Sequence, residues 1–423
     1  MQEDFLHYAW KHKVFSISSL NTTRDEMLIV KHLGQHNHNT GPDFFNAQIS
    51  IDGQLWAGNV EIHIKSSDWY VHNHEIDKAY DNVILHVVWE HDTEIYRQDN
   101  SEIPTLELKH YIKEDLLKTY QKLIQSKSWI NCESDFSMVD DFLLNNWLER
   151  LFIERLERKS KDITKLLQES NNDWEGVLFK MLLKNFGLKV NGESFLSIAN
   201  SIDYSMVRKL QNDVLEMEAL LYGQASMLED ETQDTYFLDL KQRYQFVKHK
   251  FKLNNQGVIP VQFFRLRPQS FPTIRLSQFA NLYTIEHQLF SKVMTINTRD
   301  EFYKLFKKGV TDFWKTHYTF AKTSKASKKQ LTKSFIDLLI INTIIPLKFS
   351  YAKAQGKTID EELFKLIKQI KIENNSIVNK FLELKPIEKN ALNSQALLQL
   401  KQQYCNKNQC LQCAIGNSLI VKK

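Results

Sequence analysis

Apolar and polar residues alternate along two neighbouring segments near the N-terminus, which is the pattern of β-strands with one buried face. The alternation covers residues 45–51 and resumes over residues 55–64. Asp52 and Gly53 stand between the two segments, and this dipeptide is typical of a two-residue hairpin turn. The sequence therefore predicts a β-hairpin.

Further strands are predicted on both sides of the hairpin. A near-continuous apolar run over residues 83–89 predicts a buried strand, because a strand covered on both faces needs no polar side. A short polar segment with helical spacing, residues 72–79, precedes it. Residues 27–33 and 102–108 are two more predicted strands. Together these elements predict a small mixed sheet.

Helical patterns dominate the rest of the chain. The hydrophobic period changes to 3.6 residues near Tyr111, and residues 142–167 form a long amphipathic pattern. Residues 263–276 carry two prolines and alternating aromatic residues, so we expect an irregular loop there. An apolar segment over residues 335–347 predicts a buried helix that ends at Pro346.

The composition agrees with an α+β fold of two or three domains. Of the 423 residues, 42% are hydrophobic and 25% are charged, as in ordinary soluble globular proteins. Only 12 Gly and 7 Pro argue against disorder and against an all-β fold with many tight turns. The predicted parts are a mixed-sheet domain over residues 1–125, a helical region over residues 126–400 and a cysteine-containing tail over residues 401–423.

The overall charge of the chain does not indicate nucleic-acid binding. The formal net charge is +4, from 55 basic and 51 acidic residues, so any basic binding surface must be a local one. Arginines in an apolar loop either pair with buried carboxylates or bind an anion such as phosphate. A lysine-rich stretch with aromatic residues is either a solvated helix face or a path for a phosphate backbone. The candidate substrate-binding residues are Arg265, Arg267, Arg275, Lys328 and Lys329.

The N-terminal residues lack a charged region followed by a long apolar run, so we expect no signal peptide. We also expect no segment as long and apolar as a membrane span. These two expectations predict a cytoplasmic location and no membrane partner.

Acidic and histidine residues concentrate at the predicted hairpin. Asp43 follows Gly41 and Pro42 at the start of the first strand, while Glu61 and His63 lie two apart on the second strand and so share a face. Mg²⁺ and Mn²⁺ prefer carboxylate oxygens and keep open positions for water and a phosphate oxygen. The three side chains therefore predict a Mg²⁺ or Mn²⁺ site.

The motif GPDF, followed by VEIH, a helix and a strand, resembles the core of the PD-(D/E)XK nucleases. This resemblance implies that Asp43 and Glu61 are metal-binding carboxylates and that the chain cleaves nucleic acid. It implies a catalytic role for His63, which stands where Lys is usual, and for Lys65 on the same strand face. Over the whole chain, GNVEIH, SSDW, LHVVWE and CLQCAIG resemble a bacterial family of unknown function.

Two alternative functions remain open. The chain is a non-catalytic nucleic-acid-binding or protein-binding module if catalysis was lost together with the usual lysine. It is a Zn or Mn hydrolase if clustered histidines hold the metal with Asp43 or Glu61. These histidines are His63, His72, His74 and His86. Otherwise His86 is a hydrogen-bonded core residue, and His72 and His74 are surface residues. His36 and His38 belong to a solvated loop or border the site.

The four cysteines predict a second site. They are Cys132, Cys405, Cys410 and Cys413. The last three have the C-x4-C-x2-C spacing of plant-type ferredoxins, and four thiolates suit either an iron–sulfur cluster or a structural Zn²⁺. Some PD-(D/E)XK nucleases hold a cluster with one distant and three close cysteines, but their lone cysteine precedes the nuclease core, whereas Cys132 follows it. Reduced thiols and a three-thiolate site are the alternatives.

Overall fold

Seven strands form one mixed sheet among the described residues of the computed structural model, which are residues 2–37, 40–125, 128–230, 234–357 and 361–421. The strands are β1 (Leu20–Asn21), β2 (Met27–His32), β3 (Gln35–His36), β4 (Phe44–Ile51), β5 (Gln54–Lys65), β6 (Val83–Glu90) and β7 (Thr105–Glu107). Their order is β1-β2-β4-β5-β6-β7, with β3 beside β4. Strands β2, β4 and β5 are antiparallel, whereas β5, β6 and β7 are parallel.

The predicted hairpin is the pair of β4 and β5. Asp52 and Gly53 both take positive φ angles, 45° and 85°, as a type I′ turn requires. Helix α1 (Glu3–His12) shares one hydrophobic core with the apolar face of this hairpin. Val60 and Ile62 of β5 are fully buried in that core. The packing brings the polar edge of α1 near the start of β4.

A short connection joins β5 to β6. It contains the one-turn helix α2 (Asp68–Val71) and two 3₁₀ turns, His74–Ile76 and Lys78–Tyr80. Trp69 is fully buried in a second small core, and its indole N–H donates to the carbonyl of Tyr96 at 3.2 Å. Trp69 is therefore a packing residue.

Helices make up most of the remaining described chain. They are α3 (Glu114–Gln125), α4 (Asp141–Glu169), α5 (Trp174–Phe186), α6 (Leu188–Asn200), α7 (Tyr204–Leu210), α8 (Val214–Gln224), α9 (Thr235–Phe251), α10 (Pro272–Ile285), α11 (Leu289–Thr295), α12 (Arg299–Phe306), α13 (Asp312–Thr316), α14 (Lys333–Leu339), α15 (Ile345–Ala354), α16 (Glu361–Gln369), α17 (Ser376–Leu384), α18 (Ala391–Gln399) and α19 (Ala414–Val421). Strands β8 (His317–Thr319) and β9 (Lys322–Thr323) form a small hairpin. The α+β prediction is confirmed.

The chain divides into two units. The first unit contains the seven-stranded sheet of the described residues and consists of Met1–Trp147, Lys380–Pro386 and Leu398–Lys423. The second unit is mostly helical and consists of Leu148–Asn379 and Ile387–Leu397. The predicted three-part division stays a prediction.

The loop prediction for residues 263–276 was wrong at its C-terminal end, because helix α10 begins at Pro272. A proline is tolerated in the first helical turn, since the N–H that it lacks has no partner within the helix there. Arg275 therefore belongs to a helix and is buried.

A proline was also misinterpreted at the end of the apolar segment. The helix continues past Pro346, because a wider π-helical turn over Ile340–Ile344 joins α14 to α15. By length and composition alone, Lys333–Ala354 is a helix apolar enough to cross a membrane, so the expectation of no such segment was wrong. Of its most apolar window, 67% is buried within the protein, as in the core helices of soluble proteins.

A buried glutamate in the second unit makes stability depend on pH. Glu218 accepts hydrogen bonds from the hydroxyls of Tyr236, at 2.5 Å, and Thr311, at 2.9 Å. Burial raises the pKa of Glu218 to about 7. The folded state therefore binds a proton that the unfolded chain has already released, and the stability that this proton provides is lost as the pH rises through about 7.

Glu218→Gln removes this ionisation and keeps an oxygen acceptor. We expect the variant to gain up to about 3 kcal/mol in free energy of unfolding above about pH 8, since one pKa unit corresponds to about 1.4 kcal/mol. We expect little gain near about pH 4.5, where the wild-type carboxyl is protonated in the folded state. Urea unfolding of both proteins at the two pH values measures the difference. An equal gain at both would contradict the assignment.

Candidate metal centre

A β-bulge brings Asp43 beside Glu61. Strand β4 has one residue more than β5 between two of their paired positions. Asn46 lies in that stretch at φ 57°, a conformation that Asn adopts more readily than most residues. Bulges re-aim the side chains near a strand end. Asp43, directly before β4, thereby reaches the level of Glu61 on β5.

Backbone hydrogen bonds fix this pair of carboxylates. The N–H of Asp43 donates to Oε2 of Glu61 at 3.1 Å, and the N–H of Ile62 donates to Oδ2 of Asp43 at 3.0 Å. The side chain of Glu61 is only 6% exposed, and that of Asp43 is 19% exposed. Two acidic groups therefore lie next to each other with little contact with water.

This environment disfavours the negative charge of Glu61. Burial raises the pKa of Glu61 to about 9, and the charge of Asp43 adds to the increase. Glu61 therefore keeps a proton near neutral pH when no cation is close. A divalent cation between the two groups would stabilise both as anions, and carboxylate oxygens are the donors that Mg²⁺ and Mn²⁺ prefer. The donor set therefore fits the predicted metal.

Helix α1 adds two side chains that the sequence analysis missed. Nε2 of His7 lies 3.2 Å from Oδ2 of Asp43 and 3.5 Å from Oε1 of Glu3. Burial alone would lower the pKa of His7, but the hydrogen bond to Asp43 and the nearby acidic charges outweigh it and raise that pKa. The possible ligand atoms of the three residues lie within 4.8 Å of one another. His36 stacks on Phe44 near this group, and His38 lies outside the described residues.

Three histidines lie together beside Glu61, and two of them contact its other carboxylate oxygen. Possible ligand nitrogens of His63, His72 and His74 lie within 4.8 Å of one another. Nε2 of His74 is 3.4 Å and Nε2 of His63 is 3.6 Å from Oε1 of Glu61. Imidazole nitrogens suit Zn²⁺, whereas carboxylate oxygens suit Mg²⁺ and Mn²⁺. Glu61 therefore lies between two groups of possible ligands of different chemistry.

His63 is uncharged in this arrangement. Burial and then the nearby rings of His74, His72 and His7 lower the pKa of His63 to about 3. Nδ1 of His63 lies 2.8 Å from Nε2 of His86, which is fully buried, as the core alternative for His86 predicts. This hydrogen bond orients the ring so that Nε2 faces His72 and the carboxylate. His63 is therefore a possible metal ligand or hydrogen-bond acceptor rather than a substitute for the lysine cation.

Lys65 does not join these groups. Its side chain is exposed, and its backbone N–H donates to Asp68 at 3.0 Å. Burial would raise the pKa of Asp92, but hydrogen bonds from Ser67 and Ser66 and the charge of Lys65 lower it. The ammonium charge of Lys65 therefore stabilises the carboxylate of Asp92.

The residues predicted to bind substrate lie in the second unit. Arg265, Arg267 and Lys328 are exposed there and stay predicted contacts. The guanidinium of Arg275 is buried 3.8 Å from the ring centroid of Phe335 and donates to Gln278. The ammonium of Lys329 is enclosed by backbone carbonyls, which accept its hydrogen bonds at 2.5 and 2.7 Å. These two buried cations are occupied by contacts within the second unit and do not face a substrate.

The cysteines are brought together in the first unit. Cys132, Cys405, Cys410 and Cys413 line one small cavity, although Cys132 is far from the others in sequence. All four are free thiols.

Comparison with known proteins identifies a family without a known activity. The family model described as "Protein of unknown function (DUF2851)" matches residues 3–376. No curated protein and no solved structure matches significantly. The match covers the sheet, the candidate metal-binding residues and most of the helical region, and it ends before the three tail cysteines. The predicted whole-chain resemblance to a family of unknown function is confirmed, and the chain belongs to the DUF2851 family.

Proposed function

We propose that the protein is a metal-dependent phosphodiesterase that cleaves nucleic acid, with its centre at Asp43 and Glu61. The observation that carries the proposal is the pair of carboxylates fixed side by side in a largely buried site. Such a pair is costly without a cation, because burial and mutual repulsion both oppose ionisation. Nucleic acid as the substrate rests on the resemblance of the GPDF and VEIH motifs to PD-(D/E)XK nucleases.

The residues around the pair have distinct roles in this proposal. Asp43 and Glu61 would hold Mg²⁺ or Mn²⁺, which stabilises charge on a phosphate oxygen and lowers the pKa of a bound water. His63 is uncharged, so its ring can accept a hydrogen bond from an attacking water and orient it. His7 keeps its proton to a higher pH than a free histidine, so it can provide the positive charge that Lys65 does not bring to the pair.

Cleavage assays test the proposal directly. The purified protein is incubated with single-stranded and double-stranded DNA and RNA, with Mn²⁺, with Mg²⁺ or with a chelator. We expect cleavage only with a divalent ion. Binding that weakens with salt and no cleavage under any of these conditions would favour the non-catalytic module instead.

A histidine-held metal is the second candidate, because three imidazoles meet within 4.8 Å. In that case the protein would be a Zn or Mn hydrolase whose metal is bound by His63, His72 and His74. Glu61 would contribute a carboxylate oxygen, since it contacts two of these rings.

The variant H72A/H74A separates the two candidates. If the histidines hold the metal, the variant loses at least about 100-fold in Zn²⁺ affinity, since it lacks two of the three imidazole donors. We expect Mn²⁺-dependent cleavage to stay within about threefold of wild type, because Asp43 and Glu61 remain. Calorimetric titration and the cleavage assay measure both quantities, with the exposed His110→Ala as the control. Loss of Mn²⁺-dependent cleavage in H72A/H74A but not in the control would indicate that the histidines hold the catalytic metal.

A further inference from the structure

The four cysteines of the chain converge on a single cavity in the first unit. Cys132 belongs to the segment before α4, whereas Cys405, Cys410 and Cys413 belong to the segment before α19. The cavity is small, with a volume of about 20 Å³. The rest of its lining is mostly apolar and includes Ile130, Phe136, Leu400, Tyr404 and Ile415. All four cysteines of the protein therefore line one small, mostly apolar cavity.

These thiols stay protonated and neutral in this apolar space unless a cation binds among them. Burial raises the pKa of Cys132 to about 12 and that of Cys413 to about 11, and neighbouring thiols add to both increases. The pKa of Cys405 is raised as well, by burial and then by the neighbouring thiols. A bound metal reverses this, because thiolates become its ligands.

Hydrogen-bond donors are already directed at the sulfurs. The side-chain amide of Asn131 donates to Sγ of Cys410 at 3.4 Å. Backbone N–H groups of Ile415 and Gly416, in the first turn of α19, donate to the sulfur of Cys413. Donors to ligating sulfurs are the outer contacts that orient and tune thiolate-bound metals.

The approach of α19 to Cys410 is unusually close. A Cβ atom at Gly416 would lie 2.1 Å from the carbonyl oxygen of Cys410, so only glycine fits there. This contact holds the Cys410 turn against the first turn of α19. The backbone that carries Cys410 is thereby held close to the helix that follows Cys413.

The spacing of the sulfurs distinguishes a cluster from a single ion. Tetrahedral Zn²⁺ with Zn–S bonds of about 2.3 Å brings its sulfurs to within about 3.8 Å of one another. Among the described residues, which include all four cysteines, no three cysteine sulfurs lie within 4.8 Å of one another, although groups of histidines and carboxylates do. The cavity is therefore wider than a single-ion site.

We propose that Cys132, Cys405, Cys410 and Cys413 hold an iron–sulfur cluster. A cluster places iron and sulfide between the thiolates, so their sulfurs stand further apart than around one ion. Its role is structural, because it cross-links two segments of the first unit that are distant in sequence. The site is independent of the carboxylate pair and stands whether or not the chain cleaves nucleic acid.

Metal and sulfide analysis of the full chain, purified without air, tests this proposal. We expect iron and acid-labile sulfide in nearly equal amounts and a broad visible absorption that disappears in air or on reduction. D43A/E61A is expected to keep both iron and sulfide, which separates this site from any iron at the carboxylates. Zinc without sulfide, or four thiols that all react with a thiol reagent in the anaerobic protein, would overturn it.

Two substitutions locate the cluster. Cys132→Ser is expected to lose at least about 90% of the sulfide, whereas Gln412→Ser, an exposed residue between two of the cysteines, is expected to keep it. Sulfide retained by Cys132→Ser would overturn the four-cysteine assignment. If Cys132→Ser fails to fold, Cys405→Ser at a half-buried position takes its place, and the wild-type sulfide content decides the matter independently of any variant.

Discussion

Replacing both Asp43 and Glu61 with alanine is expected to lower Mn²⁺-dependent phosphodiester cleavage by at least about a thousandfold. A catalytic metal ion supplies several kcal/mol of transition-state stabilisation, and about 4 kcal/mol corresponds to a thousandfold change in rate. Both carboxylates accept hydrogen bonds from backbone N–H groups, and β4 and β5 carry no acid other than Glu61 that could replace them. Initial rates with a labelled oligonucleotide measure the loss.

Single conservative variants distinguish a catalytic role from a structural one. Glu61→Gln keeps the shape and removes a buried acid whose pKa is raised to about 9. We expect this variant to be more stable than the metal-free wild type near neutral pH, since the wild-type side chain must be protonated to stay buried. We also expect it to lose most of its activity. A variant that loses stability and activity together would indicate that Glu61 only supports the fold.

Trp69→Ala is expected to lower the free energy of unfolding by about 3–5 kcal/mol, as substitution of a large buried aromatic residue by alanine usually does. Trp69 is fully buried, and its ring centroid lies 5.3 Å from that of His74 and 5.7 Å from that of His86. His74 also stacks on Tyr80 at 3.7 Å. The aromatic residues support the histidines, so the cavity should also weaken Zn²⁺ binding by about tenfold or more.

Chemical denaturation followed by far-ultraviolet circular dichroism measures the stability of Trp69→Ala, and calorimetry measures its Zn²⁺ affinity. Trp56→Ala is the matched control, because Trp56 lies on β5 and is 37% exposed. The control is expected to lose less than about 1 kcal/mol. Similar losses for the two variants would contradict the supporting role of Trp69.

The elements with a strong local pattern could be predicted from the sequence. The period of two and the Asp52-Gly53 turn define the hairpin, because both depend only on neighbouring residues. The two prolines that misled the prediction, Pro272 and Pro346, depend on context. One is the first residue of a helix, and the other follows a widened helical turn.

The site could be predicted only in part. Asp43 and Glu61 were expected to converge, and in the structure they do lie side by side. Their register depends on a bulge at Asn46, which no residue pattern predicts. Glu3 and His7 share one face of helix α1, yet their spacing does not indicate which strand end that face contacts. Contacts between distant segments follow from packing, and local periodicity carries no information about them.

The most direct test of the metal centre is Mn²⁺ binding to the wild type and to D43A/E61A, measured by electron paramagnetic resonance of the free ion at equal protein concentration. The proposal predicts that the wild type removes free Mn²⁺ from solution and that the double variant removes at least about 100-fold less at the same concentrations. Equal binding by the two proteins would contradict it, because the ion would then be held without Asp43 and Glu61.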